Sequence, residues 1–372
     1  MTQYPQTERS RQVTRRPAFG EQFTDHMVML TWTAEAGWTD TPQVMPFGDL
    51  RISPAMAGLH YGQVVFEGLK TYRRQDGTLG TFRPDAHARR FQQSARRLAM
   101  PELPDELFIQ AVDAFVGVDG GVLSADEEVS LYLRPLMFAT EASLALRPAR
   151  AYTFLLMGFV TGGFFSNRPD PVSVLISREY SRAAPGGTGQ AKCAGNYAGA
   201  FLAQRAAADA GCQQVVWLDA VENRWVEEMG GMNLFFVRGA GPGATVVTPS
   251  LTGTLLPGVT RDSLLTLAGE RGHAVTEERI SVEQWRKECE EGVISETFAC
   301  GTAALVTPVG HVRDADGEWL VGAGQPGPVT IELRTTLTDL HRGRTADAHG
   351  WIRCHDRPVD ALHVNSEEQT YT

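Results

Sequence analysis

From Asp25 onward, short runs of β-branched and aromatic residues alternate with stretches of helical period. His26 to Thr33, Ser130 to Ala139, Ala151 to Val160 and Val172 to Ser177 read as strands. Pro84 to Met100 reads as a helix. Proline opens it, Phe91, Ala95, Leu98 and Ala99 fall on one face, and Arg89, Arg90, Arg96 and Arg97 surround the others. Arg178 to Gln190 loses periodicity and gathers Pro185 with three glycines, the mark of a connection. Beyond it the pattern predicts a helix over Ala198 to Ala210. Strands follow near Gln214 to Leu218, Arg224 to Glu228 and Asn233 to Val237, with a helix opening at Pro257-Gly-Val-Thr260. Strand-like Val293 to Cys300 leads into Gly301-Thr-Ala303, and Thr330 to Leu340 is a late helix. Strands and helices mixed in both halves place the chain in the α/β or α+β class.

The 372 residues are long enough for two cores. The pattern divides them into a flexible arm over 1–20, an N-terminal domain over 21–178, a connection over 179–190 and a second domain over 191–372. The boundary falls just before Lys192, so a ligand tied to that lysine would sit at a domain junction, a favoured place for small-molecule pockets.

Composition narrows the partners. A formal net charge of −10 disfavours nucleic acid, whose phosphates attract basic surfaces. The uncharged stretch Ala151 to Asn167 is broken by glycine and too short to span a bilayer. No apolar run follows the polar first sixteen residues, so a cytoplasmic protein with no membrane partner is expected. The five cysteines are widely spaced with no Cys-x-x-Cys pair, which points to neither a disulfide framework nor a metal site.

Against this background Lys192 is conspicuous. The chain has three lysines, and Lys192 is the only charged residue between Arg182 and Arg205, set among glycine and alanine that let a ligand come close. Such an amine is either a solvent-reaching loop lysine or a nucleophile for a carbonyl. A P-loop does not fit: Ala191 stands where its second glycine belongs, and Cys193 replaces the magnesium-binding Ser or Thr. Leu256-Pro-Gly-Val-Thr-Arg-Asp262 and Gly301-Thr302-Ala303 are better phosphate sites, each offering backbone N–H groups after a turn, with Arg90 as a cation. Glu227-Glu228-Met-Gly-Gly-Met-Asn233 sets two acids at a strand end. They are solvated at a turn or, if buried, able to pair with a protonated ring nitrogen.

Taken in order, these segments resemble the branched-chain amino acid aminotransferases, pyridoxal-phosphate enzymes of fold type IV. The resemblance spans nearly the whole chain. It runs through Phe23-Thr-Asp-His26, His60-Tyr-Gly-Gln-Val-Val-Phe-Glu-Gly-Leu-Lys70, Phe82-Arg-Pro84, Leu131-Tyr-Leu-Arg-Pro135 and Pro185-Gly-Gly-Thr-Gly-Gln-Ala-Lys192. It continues in Gly195-Asn-Tyr197, Gly211-Cys-Gln-Gln-Val-Val-Trp-Leu218, Leu256-Pro-Gly-Val-Thr-Arg261 and Gly301-Thr-Ala303. It implies a smaller N-terminal α/β domain and a larger, barrel-like C-terminal domain. It also implies a homodimer that transfers the amino group of leucine, isoleucine or valine to 2-oxoglutarate. D-Amino acid aminotransferases and aminodeoxychorismate lyases share that fold, and a non-catalytic binder of the cofactor is a more distant alternative.

By the same resemblance Lys192 bonds the aldehyde of pyridoxal 5′-phosphate, Glu228 partners its ring nitrogen, and Tyr197 bonds its phenolic oxygen. Arg90, Val259, Thr260 and Thr302 correspond to the phosphate clamp. Phe66, Tyr61 and Tyr132 correspond to the substrate pocket walls, the Thr302 and Ala303 amides to the α-carboxylate site, and Arg134 to the receiver of glutamate's distal carboxylate. The Tyr61 loop is expected to reach across the subunit interface. Four positions depart from the family. Ala304 and Thr307 stand where some members carry a redox Cys-x-x-Cys, so no such thiol regulation is expected. Gly231 replaces a threonine, and Phe164 a pocket tyrosine.

Overall fold

The computed structural model describes residues 18–162 and 170–355; residues 1–17 of the expected arm and Phe164 lie outside them. The first sheet takes β1 (Phe23–Thr33), β2 (Gly37–Trp38), β3 (Gln43–Pro46), β4 (Val64–Phe66), β5 (Leu69–Arg73), β6 (Leu79–Phe82), β7 (Ser130–Ala139) and β8 (Ala151–Thr161). The second takes β9 (Val172–Ile176), β10 (Gln214–Leu218), β11 (Val226–Met229), β12 (Met232–Arg238), β13 (Thr245–Thr248), β14 (Ala274–Glu277), β15 (Ile294–Gly301), β16 (Leu305–Asp314) and β17 (Gly317–Leu320). Strand β18 (Ile352–His355) returns to the first sheet beside β6. In the second sheet β11 pairs with both β10 and β12, which closes β11, β10, β9, β16, β15 and β12 into a barrel. Closure leaves those six strands without a free edge.

Two strands cross the partition drawn from sequence. β9 lies ahead of the 179–190 connection yet runs parallel to β10 and β16 in the second sheet, and β18 belongs to the first. The connection itself carries neither helix nor strand.

The chain is helical where its apolar positions repeat at three and four. After α1 (Ala57–Tyr61), α2 (Pro84–Arg97) starts on a proline at its first turn and buries His87, Ala88, Arg90, Phe91, Ser94 and Ala95 along one face. It stops at Arg97, short of the expected Met100, because Ala99 takes the left-handed φ of 53°. α3 (Asp105–Asp119) packs beside it, and Phe91, Phe108, Phe115 and Phe154 fill the space between the helices and the first sheet. Each of these rings contributes roughly 2 kcal/mol by leaving water. The helix expected over Ala198 to Ala210 is broken at Gly199–Ala200 into α4 (Gly195–Ala198) and α5 (Phe201–Asp209). α6 (Val259–Glu270), α7 (Val282–Glu290) and α8 (Pro328–Arg342) complete the described helices. No helix among the described residues is long and apolar enough to cross a membrane.

A shared core joins the two sheets. Tyr72 and Phe82 from the first meet Phe235 and Phe298 from the second, with Leu264 of α6 and Leu333 and Leu337 of α8.

Candidate active site

A cavity of about 450 Å³ is lined by Phe66, Tyr132 and Arg134 of the first sheet, Glu228 of the second, Arg90 of α2, and Lys192 and Tyr197 after the connection. Lys192 is held by its backbone. Its N–H donates to Ser94 Oγ on α2 at 2.9 Å, and its carbonyl accepts the Phe66 N–H at 3.0 Å. Cys193 bridges to Val65, so the lysine is stitched onto β4 and its side chain is aimed by the first sheet. Its Nζ donates to Tyr197 Oη at 3.0 Å and lies 5.1 Å from the centre of the Phe66 ring. Tyr197 stands one turn further along, on α4, with its ring 4.9 Å from Phe66.

Glu228 lies on β11, a strand buried at every position, and is 2% exposed. One carboxylate oxygen accepts the Leu256 N–H, and the other lies 3.2 Å from Arg182 Nε. Burial raises its carboxyl; Arg182, the Leu256 N–H, Lys192 and Arg90 pull the other way.

Arg90 is gripped from behind. Its Nε and Nη2 bond the two oxygens of Glu67 at 2.7 and 2.8 Å, and Nη1 donates to Pro257 O at 3.1 Å. Glu67, fully buried, also takes His87 Nδ1 at 2.7 Å. Burial alone would raise the Glu67 carboxyl, but the charges and hydrogen bonds of Arg90 and His87 outweigh it and hold it well below the usual carboxylate range. Val259 and Thr260 open α6 beside this cation. Gly258 ahead of them lets Asn233 come close: a Cβ there would stand 2.0 Å from Asn233 Oδ1. Free amides at a helix start beside an arginine make an anion site.

The Gly301-Thr302-Ala303 turn joins β15 to β16 and lines the same cavity. Its far end is constrained: Leu305 has φ 58°, and Lys70 Nζ donates to Ala303 O at 3.1 Å. Tyr132 reaches the cavity because Gly68 opposite has no side chain; a Cβ there would stand 1.8 Å from the Tyr132 hydroxyl. Arg134 lies over Phe66 at 4.8 Å and over Tyr132 at 5.4 Å, with its Nε buried and unpartnered. Gly231 also lines the cavity, and a Cβ there would meet Tyr197 at an ordinary 3.5 Å.

Of the residues singled out from sequence, Lys192, Glu228, Tyr197, Arg90, Val259, Thr260, Thr302, Ala303, Phe66, Tyr132 and Arg134 all line this one cavity. Tyr61 does not. It is 44% exposed, and its hydroxyl donates to Leu144 O. Sequence reading missed Arg182, Glu67, Asn233 and Phe19. Phe19, assigned to the arm, lines the cavity and meets Tyr132 and Phe159 edge-on at 4.9 Å. Glu67 had a signal: it is the one acid in the apolar run Val64 to Leu69. The donor set suits a flat phosphorylated aldehyde, with an amine for the carbonyl, a buried acid for a ring nitrogen, and a cation with helix amides for the phosphate.

A model of the class IV amino-transferases matches residues 64–312. A branched-chain-amino-acid aminotransferase of Mycolicibacterium smegmatis is 53% identical over 350 residues, 94% of this chain and 95% of that protein. The branched-chain amino acid aminotransferase of Escherichia coli superposes with a TM-score of 0.71 at 28% identity, covering 87% of this chain and 98% of that one. An enzyme of the same name from T.th., complexed with N-(5′-phosphopyridoxyl)-L-glutamate, gives 0.68 at 28% identity, covering 87% and 97%.

Proposed function

Since the chain belongs to the branched-chain-amino-acid aminotransferases of class IV, we propose that it transfers the amino group of L-leucine, L-isoleucine or L-valine to 2-oxoglutarate in two ping-pong half-reactions on pyridoxal 5′-phosphate. The observation that carries this reading is the Lys192 amine, 3.0 Å from Tyr197 Oη in a cavity that also holds Glu228 and Arg90. When bound, the cofactor supplies an aldehyde that bonds amines and a ring that spreads the electron pair left at the substrate Cα.

The protein supplies the rest. Lys192 Nζ carries the proton between Cα and the cofactor's C4′ carbon, the role of a positioned general base. Glu228 holds a proton on the ring nitrogen, and Tyr197 bonds the phenolic oxygen. Arg90, the Val259 and Thr260 amides and Thr302 take the phosphate, with Glu67 fixing the plane of the Arg90 guanidinium. The Tyr132 hydroxyl and the Thr302 and Ala303 amides receive the α-carboxylate shared by every substrate. Phe66 and Tyr132 offer apolar walls to a branched side chain. The unpartnered Arg134 Nε supports a place for the distal carboxylate of glutamate at the rim, so one pocket serves an aliphatic and a charged side chain in turn.

Tyr61 serves the partner's pocket in a homodimer. Leu59, Tyr61, Leu144 and Leu146 are all exposed, and the Tyr61–Leu144 bond holds two of them together; this supports an apolar contact surface there. Borohydride reduction of the holoenzyme followed by peptide mapping is expected to label the Lys192 peptide, and label on another peptide refutes the reading. Faster turnover of D-alanine than of L-leucine would favour the D-amino acid aminotransferases instead.

A further inference from the structure

Arg182 stands in the connection ahead of Lys192 with its side chain 7% exposed. Its Nη2 donates to Gly189 O at 3.1 Å and to Thr254 O at 2.6 Å, so two loops fix where its charge sits. Its Nε lies 3.2 Å from Glu228 Oε2 but off the line of a hydrogen bond, and the contact is therefore one of charge. Among the described residues Glu228 is the carboxylate that ion-pairs with Arg182. The neighbouring acid is held differently. Glu227 accepts from Thr254 Oγ1 through one oxygen and leaves the other buried without a partner. Burial raises the Glu227 carboxyl, against the Thr254 hydrogen bond and the more distant Arg182 charge. Burial raises both acids and Arg182 opposes it at both, but the guanidinium lies directly against Glu228 and makes its ion pair there.

This bears on the reading above, on which it rests. A proton shared between Glu228 and a ring nitrogen has two places to sit: on the carboxyl, giving a neutral pair, or on the nitrogen, giving a pair of opposite charges. A guanidinium against the carboxylate favours the second arrangement, because the negative charge lies beside it and the positive charge beyond. Lys192 and Arg90, the other cations acting on Glu228, rank behind Arg182. We propose that Arg182 is a positioning residue for transamination: it holds Glu228 ionised and so keeps the shared proton on the cofactor's ring nitrogen, where it draws electrons from the substrate Cα. It acts only through Glu228.

The test uses holoenzyme carrying cofactor labelled with nitrogen-15 in the ring, as wild type, Arg182→Gln and Arg182→Lys. Wild type is expected to give a pyridinium resonance. In Arg182→Gln the resonance moves toward neutral pyridine, and kcat falls about tenfold or more while KM changes less. Arg182→Lys, which keeps the charge, retains the wild-type resonance and most of kcat. An unchanged resonance in Arg182→Gln overturns the proposal. Should Arg182→Gln fail to hold cofactor, retention by Arg182→Lys supports a role for the charge. Loss in both variants assigns Arg182 to loop structure alone and overturns the proposal equally. A neutral ring nitrogen in wild type removes the underlying reading of Glu228 instead.

Discussion

Two of the chain's lysines, Lys192 and Lys70, are given different work by their surroundings. Lys192 meets Tyr197 in the cavity, whereas Lys70, 3% exposed, is spent on the carbonyl of Ala303. Burial first, then the Arg342 and Arg334 charges, lowers the Lys70 ammonium from its ordinary 10.5 to about 7. Between those values the unfolded chain binds the proton and the folded chain does not, so stability rises with pH across that window. Lys70→Met is expected to flatten that rise in melting temperature; a variant with the wild-type slope contradicts the assignment. Glu67 works in the same sense at lower pH. Its carboxyl is depressed in the fold, so its contribution is present above 4.5 and lost as pH falls through that range. Glu67→Gln strands a buried arginine and is expected to cost about 3–5 kcal/mol in denaturant titrations at neutral pH. Arg134→Met tests the substrate rim. Single-turnover rates should fall on the order of a hundredfold with glutamate, where a buried charge loses its partner, yet stay within a few-fold with leucine. Equal losses in the two half-reactions would place Arg134 in the scaffold instead.

Elements are legible where their periodicity is local. The strand over Ser130 to Ala139 forms as the pattern reads; α2 buries Phe91 and Ala95 as read, but it ends before Leu98 and Ala99, and Arg90, read onto the other faces, is buried beside them with His87 and Ser94. Periodicity could not show that burial, because a guanidinium is buried only with a partner, and Glu67 lies outside the helix. Short strands such as β3, β4 and β13 carry too few residues for alternation to declare them, and β4 finds its partner β7 far along the chain. Helix starts also depend on distant groups. At the head of α8, Glu296 of β15 accepts the Val329 and Thr330 N–H groups and the Thr330 hydroxyl. It fits only because Gly327 lacks the Cβ that would stand 2.0 Å from its carboxyl carbon. Glu296→Ala leaves those donors buried and bare, and is expected to destabilise the fold by about 2–4 kcal/mol, read as a shift in denaturation midpoint. A change under about 0.5 kcal/mol would mean the helix end finds other acceptors.

For the whole molecule, the surface around Tyr61 predicts association. Leu146, 88% exposed, stands near Leu144 and its bond to Tyr61. Leu146→Glu is expected to shift light scattering from dimer toward monomer and to lower activity with it; a fully active monomer would detach Tyr61 from the pocket. By itself the sequence determined the mixed α/β class, the long strands and α2, and an ordered set of chemical groups around Lys192, because these depend on neighbouring residues or on motifs with fixed order. It left open which of those groups meet. Only the tertiary structure decided that β9 and β18 cross the partition drawn from sequence, that Glu67 stands behind Arg90, and that Arg182 faces Glu228. The physical reason is that a charge finds its counter-charge through space. Arg182 and Glu228 are far apart along the chain and 3.2 Å apart in the fold, and periodicity carries no record of a contact made after barrel closure.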